Sequence, residues 1–327
     1  MVKRKCPSRP FANRKARKAL QAREMVAQIE FDPFSPLPTP MHPDGWGRNL
    51  IGTIPSHMEL VTAGRLARTV AQHCVVAIRG LGEMTPQQVL AFVTDAMGAD
   101  PRPPPAPKGW PAPLECPQIH LLGSPGSGGE FIPAHSKTGD DDDSSNHMLR
   151  WIESPSARSV TTDWHVDEPW EENPARFTVL YAAQSQGDVR TRFASTAHFW
   201  NNGMSAEDQE LCEASLAEFE PPPWLPQEQA VSIHPLVRHT LAGKAMYVCA
   251  DSLRAVDGMS REESIKWCWK LTQQCCSKEH VAEHHWEKYD LLVLDNFSSL
   301  HSRVKYNEQR QNRLLYRLRL DGAPESR

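Results

Sequence analysis

The chain has no apolar run approaching the length of a membrane span or of a signal-peptide core, so a soluble protein is expected. It also has no Cys-x-x-Cys pair. Its eight cysteines, Cys6, Cys74, Cys116, Cys212, Cys249, Cys268, Cys275 and Cys276, read in a chain of this length as reduced thiols of an intracellular protein, which argues against a disulfide framework. A positive excess is missing too: the formal net charge of -4 speaks against a general nucleic-acid binder. Acids are absent before Glu24, where Lys3, Arg4, Lys5, Arg9, Arg14, Lys15, Arg17, Lys18 and Arg23 make a basic tail. That tail leaves three readings open: an inert appendage on a cytoplasmic protein, a mitochondrial transit peptide, or a nuclear-import or polyanion-binding patch.

What is present is proline, and enough hydrophobic sequence to build a sizeable core. Residues 31–40 hold Pro33, Pro36, Pro38 and Pro40, which exclude a helix and mark an extended linker, so residues 1–45 are set apart from a folded region beginning near Trp46 and running to 322. Helical spacing of Leu60, Ala63, Leu66, Ala67 and Val70 is followed by the apolar run Cys74–Ile78, typical of a buried strand. Thr85-Pro86 then opens a second helix reaching about Met97, with Thr85 as cap. Residues 101–147 break the periodicity with prolines, then glycines and serines, then Asp140-Asp141-Asp142-Asp143, which lacks the alternating carboxylates of a Ca(II) loop. Further on, 207–216 and 261–276 read as surface helices, with Trp267, Trp269, Cys275 and Cys276 as packing residues. His280, His284 and His285 are set aside as surface histidines.

The chemistry gathers at Trp164-His165-Val166-Asp167 and, much later, at His301. On an extended strand His165 and Asp167 point to one side. His301, brought by a strand folded back against them, would complete two histidines and one carboxylate, a set that suits Fe(II) and leaves positions open for a bidentate co-substrate and dioxygen. Beyond it, Asn312-Arg313-Leu314-Leu315-Tyr316-Arg317-Leu318-Arg319-Leu320 alternates as a strand does, which puts Arg313 and Arg317 on one face.

Five segments in order resemble the taurine dioxygenase (TauD/TfdA) family of Fe(II)- and 2-oxoglutarate-dependent oxygenases over roughly residues 50–320. They are Val75–Leu81 with Thr85–Phe92; Trp164–Asp167 leading to Pro174 and Leu180-Tyr181-Ala182; His234-Pro235-Leu236-Val237-Arg238 with Tyr247-Val248 and Gly258–Ser264; Asp290–Asn296 ending in His301; and the arginine strand. Chance does not order five such matches. The resemblance implies a β-rich α+β protein whose core is a double-stranded β-helix, or jelly roll, with helices packed outside. It implies an oxygenase that releases succinate and CO2 from 2-oxoglutarate, with His165, Asp167 and His301 holding iron and O2 as co-substrate. Arg313 would pair with the distal carboxylate of 2-oxoglutarate, helped by Thr191 after the Gly187-Asp188 turn. Arg313 is preferred to Arg310 because it lies within the alternating strand. The family's mobile cover over the substrate would fall within residues 118–147.

The substrate expected is a small anionic or zwitterionic molecule. Arg317 would meet its anionic group, Glu168 an amine, and Trp164 and Trp170 its apolar part. Hydroxylation, desaturation and ring closure share one such site, whereas halogenation needs the carboxylate position that Asp167 fills. The alternatives are a non-catalytic binding module on the same barrel and a polyanion-binding protein recruited through its tail. A homo-oligomer is allowed and no membrane partner is expected.

Overall fold

The structure is a computed structural model that describes residues 39–51, 65–103, 115–123, 164–221, 231–250, 252–304 and 312–321. Helix α1 (Arg65–His73) leads into strand β3 (Val75–Arg79), and α2 (Pro86–Met97) follows. The helix expected from Leu60 is described from Arg65 onward. At the start of α2, Thr85 Oγ1 accepts from the Gln88 amide while the Gln88 side chain accepts from the Thr85 amide, and Pro86 costs nothing where no helical acceptor exists. Gly98, at φ 67, ends the helix in a conformation that suits glycine.

β3 is interior because it lies between β2 (Arg48–Ile51) and β14 (Leu291–Asp295), which explains its unbroken apolar run. The large sheet runs β1 (Thr39–Pro40), β2, β3, β14, β6 (Phe177–Gln186), β16 (Asn312–Leu320) and β4 (Pro101–Arg102), with β5 (His120–Gly123) also paired to β16. Every pairing in it is antiparallel except β2 with β3. A second antiparallel sheet places β7 (Arg190–Ser195) between β13 (Val281–His285) and β15 (Ser299–Arg303). β8 (Leu216–Phe219) pairs with β9 (Ser232–Pro235) and β12 (Leu253–Val256), and β10 (Val237–Thr240) with β11 (Gly243–Met246).

Strand alternation divides the core. Val76, Ile78, Val179, Tyr181, Val293 and Leu318 turn toward α1 and α2. Their neighbours Val75, Ala77, Leu180, Leu292, Leu294 and Leu315 turn the other way and pack with Val189, Phe193, Ala282 and Trp286 of the second sheet. The two sheets therefore share a dry apolar layer, and polar inward side chains at its margin are held on stiff strands.

Helices α3 (Thr196–Asn202), α4 (Ala206–Ala214) and α5 (Arg261–Cys275) contribute to a third cluster. α4 stops short of the expected Leu216 because Ser215 is extended and Leu216 begins β8. Trp267 and Trp269 lie part-buried against that cluster, and the Trp267 indole donates to Asp208 at 2.9 Å. Described cysteines are free thiols. The fold begins before Trp46, since Thr39 and Pro40 already pair with β2 and His42 is buried. No helix among the described residues is long and apolar enough to cross a membrane. Of the expected cover at 118–147, residues 120–123 are strand β5; its other residues from 124 on, including the aspartate run, lie outside the described residues, as does the basic tail.

Candidate metal centre

His301 sits in β15, whose inward neighbours in the sheet are fixed by pairing with β7. His165 meets it across an isolated antiparallel bridge in which each backbone N–H donates to the other's carbonyl at 3.0 Å. The expected strand around His165 and Asp167 is not extended further. Instead the side chain of Asn296 captures the Asp167 backbone: its Oδ1 accepts from the Asp167 amide at 2.7 Å, and its Nδ2 donates to the carbonyls of Asp167 at 2.8 Å and Ala175 at 3.0 Å. A fully buried amide thus substitutes for a neighbouring strand.

The result brings His165, Asp167 and His301 together as the sequence suggests, with one donor atom from each within 4.8 Å of the others. His301 Nε2 lies 3.8 Å from Asp167 Oδ1, and the two imidazole centroids are 4.2 Å apart. The other Asp167 oxygen accepts from Thr178 Oγ1 at 2.5 Å. Burial first, and then the neighbouring His165, push His301 down to about 3 against the pull of Asp167. Burial alone would raise the Asp167 carboxyl, but Arg317, the two histidines and Thr178 hold it well below the usual carboxylate range. A neutral imidazole at His301 and an ionised carboxylate at Asp167 are protonation states that suit a divalent ion.

Just past Asp167, Glu168 adopts φ 54, an uncommon backbone for a residue with a Cβ, and the chain turns so that the Glu171 amide donates to the Glu168 carbonyl at 3.1 Å. Two residues of β9 secure this turn: Ser232 Oγ donates to the Trp170 carbonyl at 2.5 Å, and His234 Nε2 lies 2.9 Å from the Glu171 carbonyl.

Glu168 is not turned to solvent, nor is its carboxylate left for a substrate amine. Arg317 Nη2 donates to it at 2.9 Å and also reaches Asp167 Oδ1 at 3.0 Å, while Arg319 binds the second Glu168 oxygen and Glu171 Oε1. The two charges expected to flank a zwitterion are therefore paired with each other. Both carboxylates beside it keep the buried Arg317 guanidinium firmly charged despite burial, which acts the other way. Trp170 and Trp164 pack, part-buried, at the edge of the third core cluster, and Arg192 stacks over Trp164 at 5.1 Å.

Arg313 is buried on the Arg317 side of β16, opposite Ser185 of β6. Ser185 Oγ donates to the Trp286 carbonyl at 3.1 Å, and the Trp286 indole donates to Thr191 Oγ1 at 2.8 Å. Trp286 thereby joins the neighbourhoods of the two residues expected to serve 2-oxoglutarate. The lone pair that Thr191 offers the indole leaves its own O–H free to turn toward another acceptor. Asn296, Thr178 and Arg319 escaped the sequence reading: Asn296 and Arg319 meet partners 129 and 151 positions away and Thr178 one 11 positions away, and none of these spacings leaves a periodic signal.

The family model described as "Taurine catabolism dioxygenase TauD, TfdA family" matches residues 38–319. The chain belongs to this family. It is accordingly an oxygenase of the class that uses Fe(II), 2-oxoglutarate and O2, and the donor set at His165, Asp167 and His301 fits that metal. A taurine dioxygenase from Burkholderia xenovorans superposes with a TM-score of 0.65 at 18% identity, covering 89% of this chain and 93% of its own. AAD-2, solved in complex with Mn(II) and N-oxalylglycine, gives 0.60 at 17% identity over 85% and 96%. A putative alpha-ketoglutarate dependent 2,4-D dioxygenase from Burkholderia xenovorans gives 0.57 at 17% over 86% and 96%. At these identities the likeness is one of fold. Comparison with curated proteins finds no match.

Proposed function

We propose that this TauD/TfdA-family enzyme oxidises a small organic anion at a C–H bond, within a domain that runs to about residue 322 and whose facing sheets form a double-stranded β-helix. The observation that carries the reading is the meeting of His165, Asp167 and His301, with Arg317 against Asp167 and with Arg313 and Arg319 buried on the same face of β16 as Arg317. His165, Asp167 and His301 would hold the iron, and Arg313 with Thr191 the distal carboxylate of 2-oxoglutarate, for which a planar guanidinium is suited. When bound, iron and 2-oxoglutarate supply the oxidising chemistry, with succinate and CO2 released.

The remaining side chains position and select. Thr178 fixes one Asp167 oxygen, so the other faces the histidines. Arg317, steadied by Glu168, presents positive charge beside the iron ligands. Glu168 on this reading aligns an arginine and does not recognise an amine, which favours a simple anion over a zwitterion. Trp170 walls the apolar part of the substrate. The test is an anaerobic Fe(II) and 2-oxoglutarate titration followed by a substrate panel scored by succinate release. Carboxylates or sulfonates should stimulate release more than neutral compounds, and Arg317→Ala should lose that preference while still binding 2-oxoglutarate. A neutral, hydrophobic best substrate turned over normally by Arg317→Ala would remove the anion assignment.

A further inference from the structure

A second cluster of metal-ligating side chains lies outside the site just described. Asp44, in the turn between β1 and β2, His198, in the first turn of α3, and His280, closing the helical turn Lys278–His280 before β13, each bring one ligand atom within 4.8 Å of the other two. His198 Nε2 is 3.1 Å from Asp44 Oδ2, and the His198 and His280 rings are 5.9 Å apart. None of the three lies near another in sequence, and no pattern in the chain announces the meeting.

The surroundings hold this arrangement in place. His42 accepts the Asp44 amide at Nδ1, at 3.2 Å, and its Nε2 sits 2.7 Å from the Glu279 carbonyl, a pairing satisfied by the Nε2–H tautomer. His42 is also stacked on Trp46 at 4.9 Å. With both nitrogens occupied, His42 is a brace and not a ligand: it ties the turn bearing Asp44 to the turn bearing His280. On His280 the contrast is plain, since its Nδ1 is shielded from water and has no hydrogen-bond partner among the described residues. A shielded, unsatisfied imidazole nitrogen costs free energy that a ligand there would recover.

We propose that Asp44, His198 and His280 form a second divalent-metal site of the zinc class, acting as a clasp between the N-terminal turn, α3 and the approach to β13. Two imidazoles and one carboxylate make a borderline donor set that selects against Ca(II) and Mg(II), which take oxygen cages. Zn(II) with such ligands is tetrahedral at bond lengths of about 2.0–2.2 Å, which asks the donors to lie roughly 3.3 Å apart. The His198–Asp44 pair already meets that spacing, and the half-exposed Asp44 side chain is free to close on His280. Asn202 Nδ2 lies 3.1 Å from His198 Nδ1 and donates to the His198 carbonyl at 3.0 Å, which steadies this ring against α3.

The experiment uses the full, tag-free chain carrying His165→Ala and His301→Ala, which silences the first site. Titrated with Zn(II), this background should bind one ion at micromolar concentration and gain thermal stability as it does so, and Co(II) should give the visible absorption of a tetrahedral N/O site. Adding His198→Ala and His280→Ala should abolish that equivalent. Asp44→Asn, an exposed change that spares the fold, should weaken binding about tenfold or more. Unsilenced protein should hold two Zn(II) per chain. A background that binds no Zn(II), or one whose binding survives the loss of His198 and His280, overturns the site.

Discussion

Replacing Asn296 by alanine tests whether the metal centre depends on a side chain that touches no ligand atom. The amide is fully buried and makes three hydrogen bonds, two to the Asp167 backbone and one to Ala175, between 2.7 and 3.0 Å. Alanine leaves one amide and two carbonyls without these partners, each worth about 1–3 kcal/mol when stranded. The carbonyls keep a second lone pair and a water could enter the space, so a total of about 2–5 kcal/mol is expected, a large share of a typical domain's stability. The more specific consequence lies in metal affinity. With its backbone released, Asp167 no longer presents Oδ1 toward the histidines, and Fe(II) should bind about 10–100-fold more weakly, the usual cost of losing an outer partner of a ligand. Urea titration gives the first quantity, and anaerobic equilibrium dialysis of Fe(II) on the still-folded variant gives the second. Unchanged Fe(II) affinity in folded Asn296→Ala would refute the argument that this amide replaces a neighbouring strand in aiming Asp167.

Three further outcomes follow from the site and its surroundings. His165→Ala or His301→Ala should abolish iron-dependent turnover of 2-oxoglutarate while leaving the circular dichroism spectrum unchanged; activity retained in the presence of a chelator would contradict this. Arg313→Ala should raise the 2-oxoglutarate requirement well over tenfold, since stranding a buried carboxylate costs about 2–5 kcal/mol, and an unchanged requirement would move the role to another arginine. His284, buried beside Asp290 at 3.1 Å, is held by burial below the ordinary histidine value and stays neutral in the fold. The unfolded chain takes that proton near pH 6.5, so stability should fall as pH drops from about 6.5 toward the folded value, and urea midpoints of His284→Gln should show a shallower decline.

Much of this molecule is written locally. The alternation from Asn312 to Leu320 matches β16 residue for residue, and the Thr85-Pro86 start of α2 forms with the cap expected of it. Both are short-range effects of backbone sterics and hydrogen bonding, which a sequence displays directly. The meeting of His165, Asp167 and His301 was legible because their residue types are restrictive and their order is shared with a family. What surrounds them was not. Glu168 read as an amine binder because nothing near it in sequence shows that Arg317 and Arg319, 149 and 151 positions away, would take both its oxygens. Likewise His280 looked like an ordinary surface histidine until the fold set it against His198 and Asp44.

The backbone bridge between His165 and His301 bears on the order in which the protein assembles. Its two hydrogen bonds join residues well over a hundred positions apart in the sequence, so the loop they close is long. Such a contact cannot nucleate folding, because the entropy of closing the loop must be met by other contacts first. β15 can dock only where β7 already waits, and His165 can register only against β15. His165, Asp167 and His301 are consequently gathered late, by a scaffold that has already formed. Metal arrives at a finished cradle, so a chelator should strip activity while the sheets stay folded, unlike small zinc domains that unravel when their ion is removed.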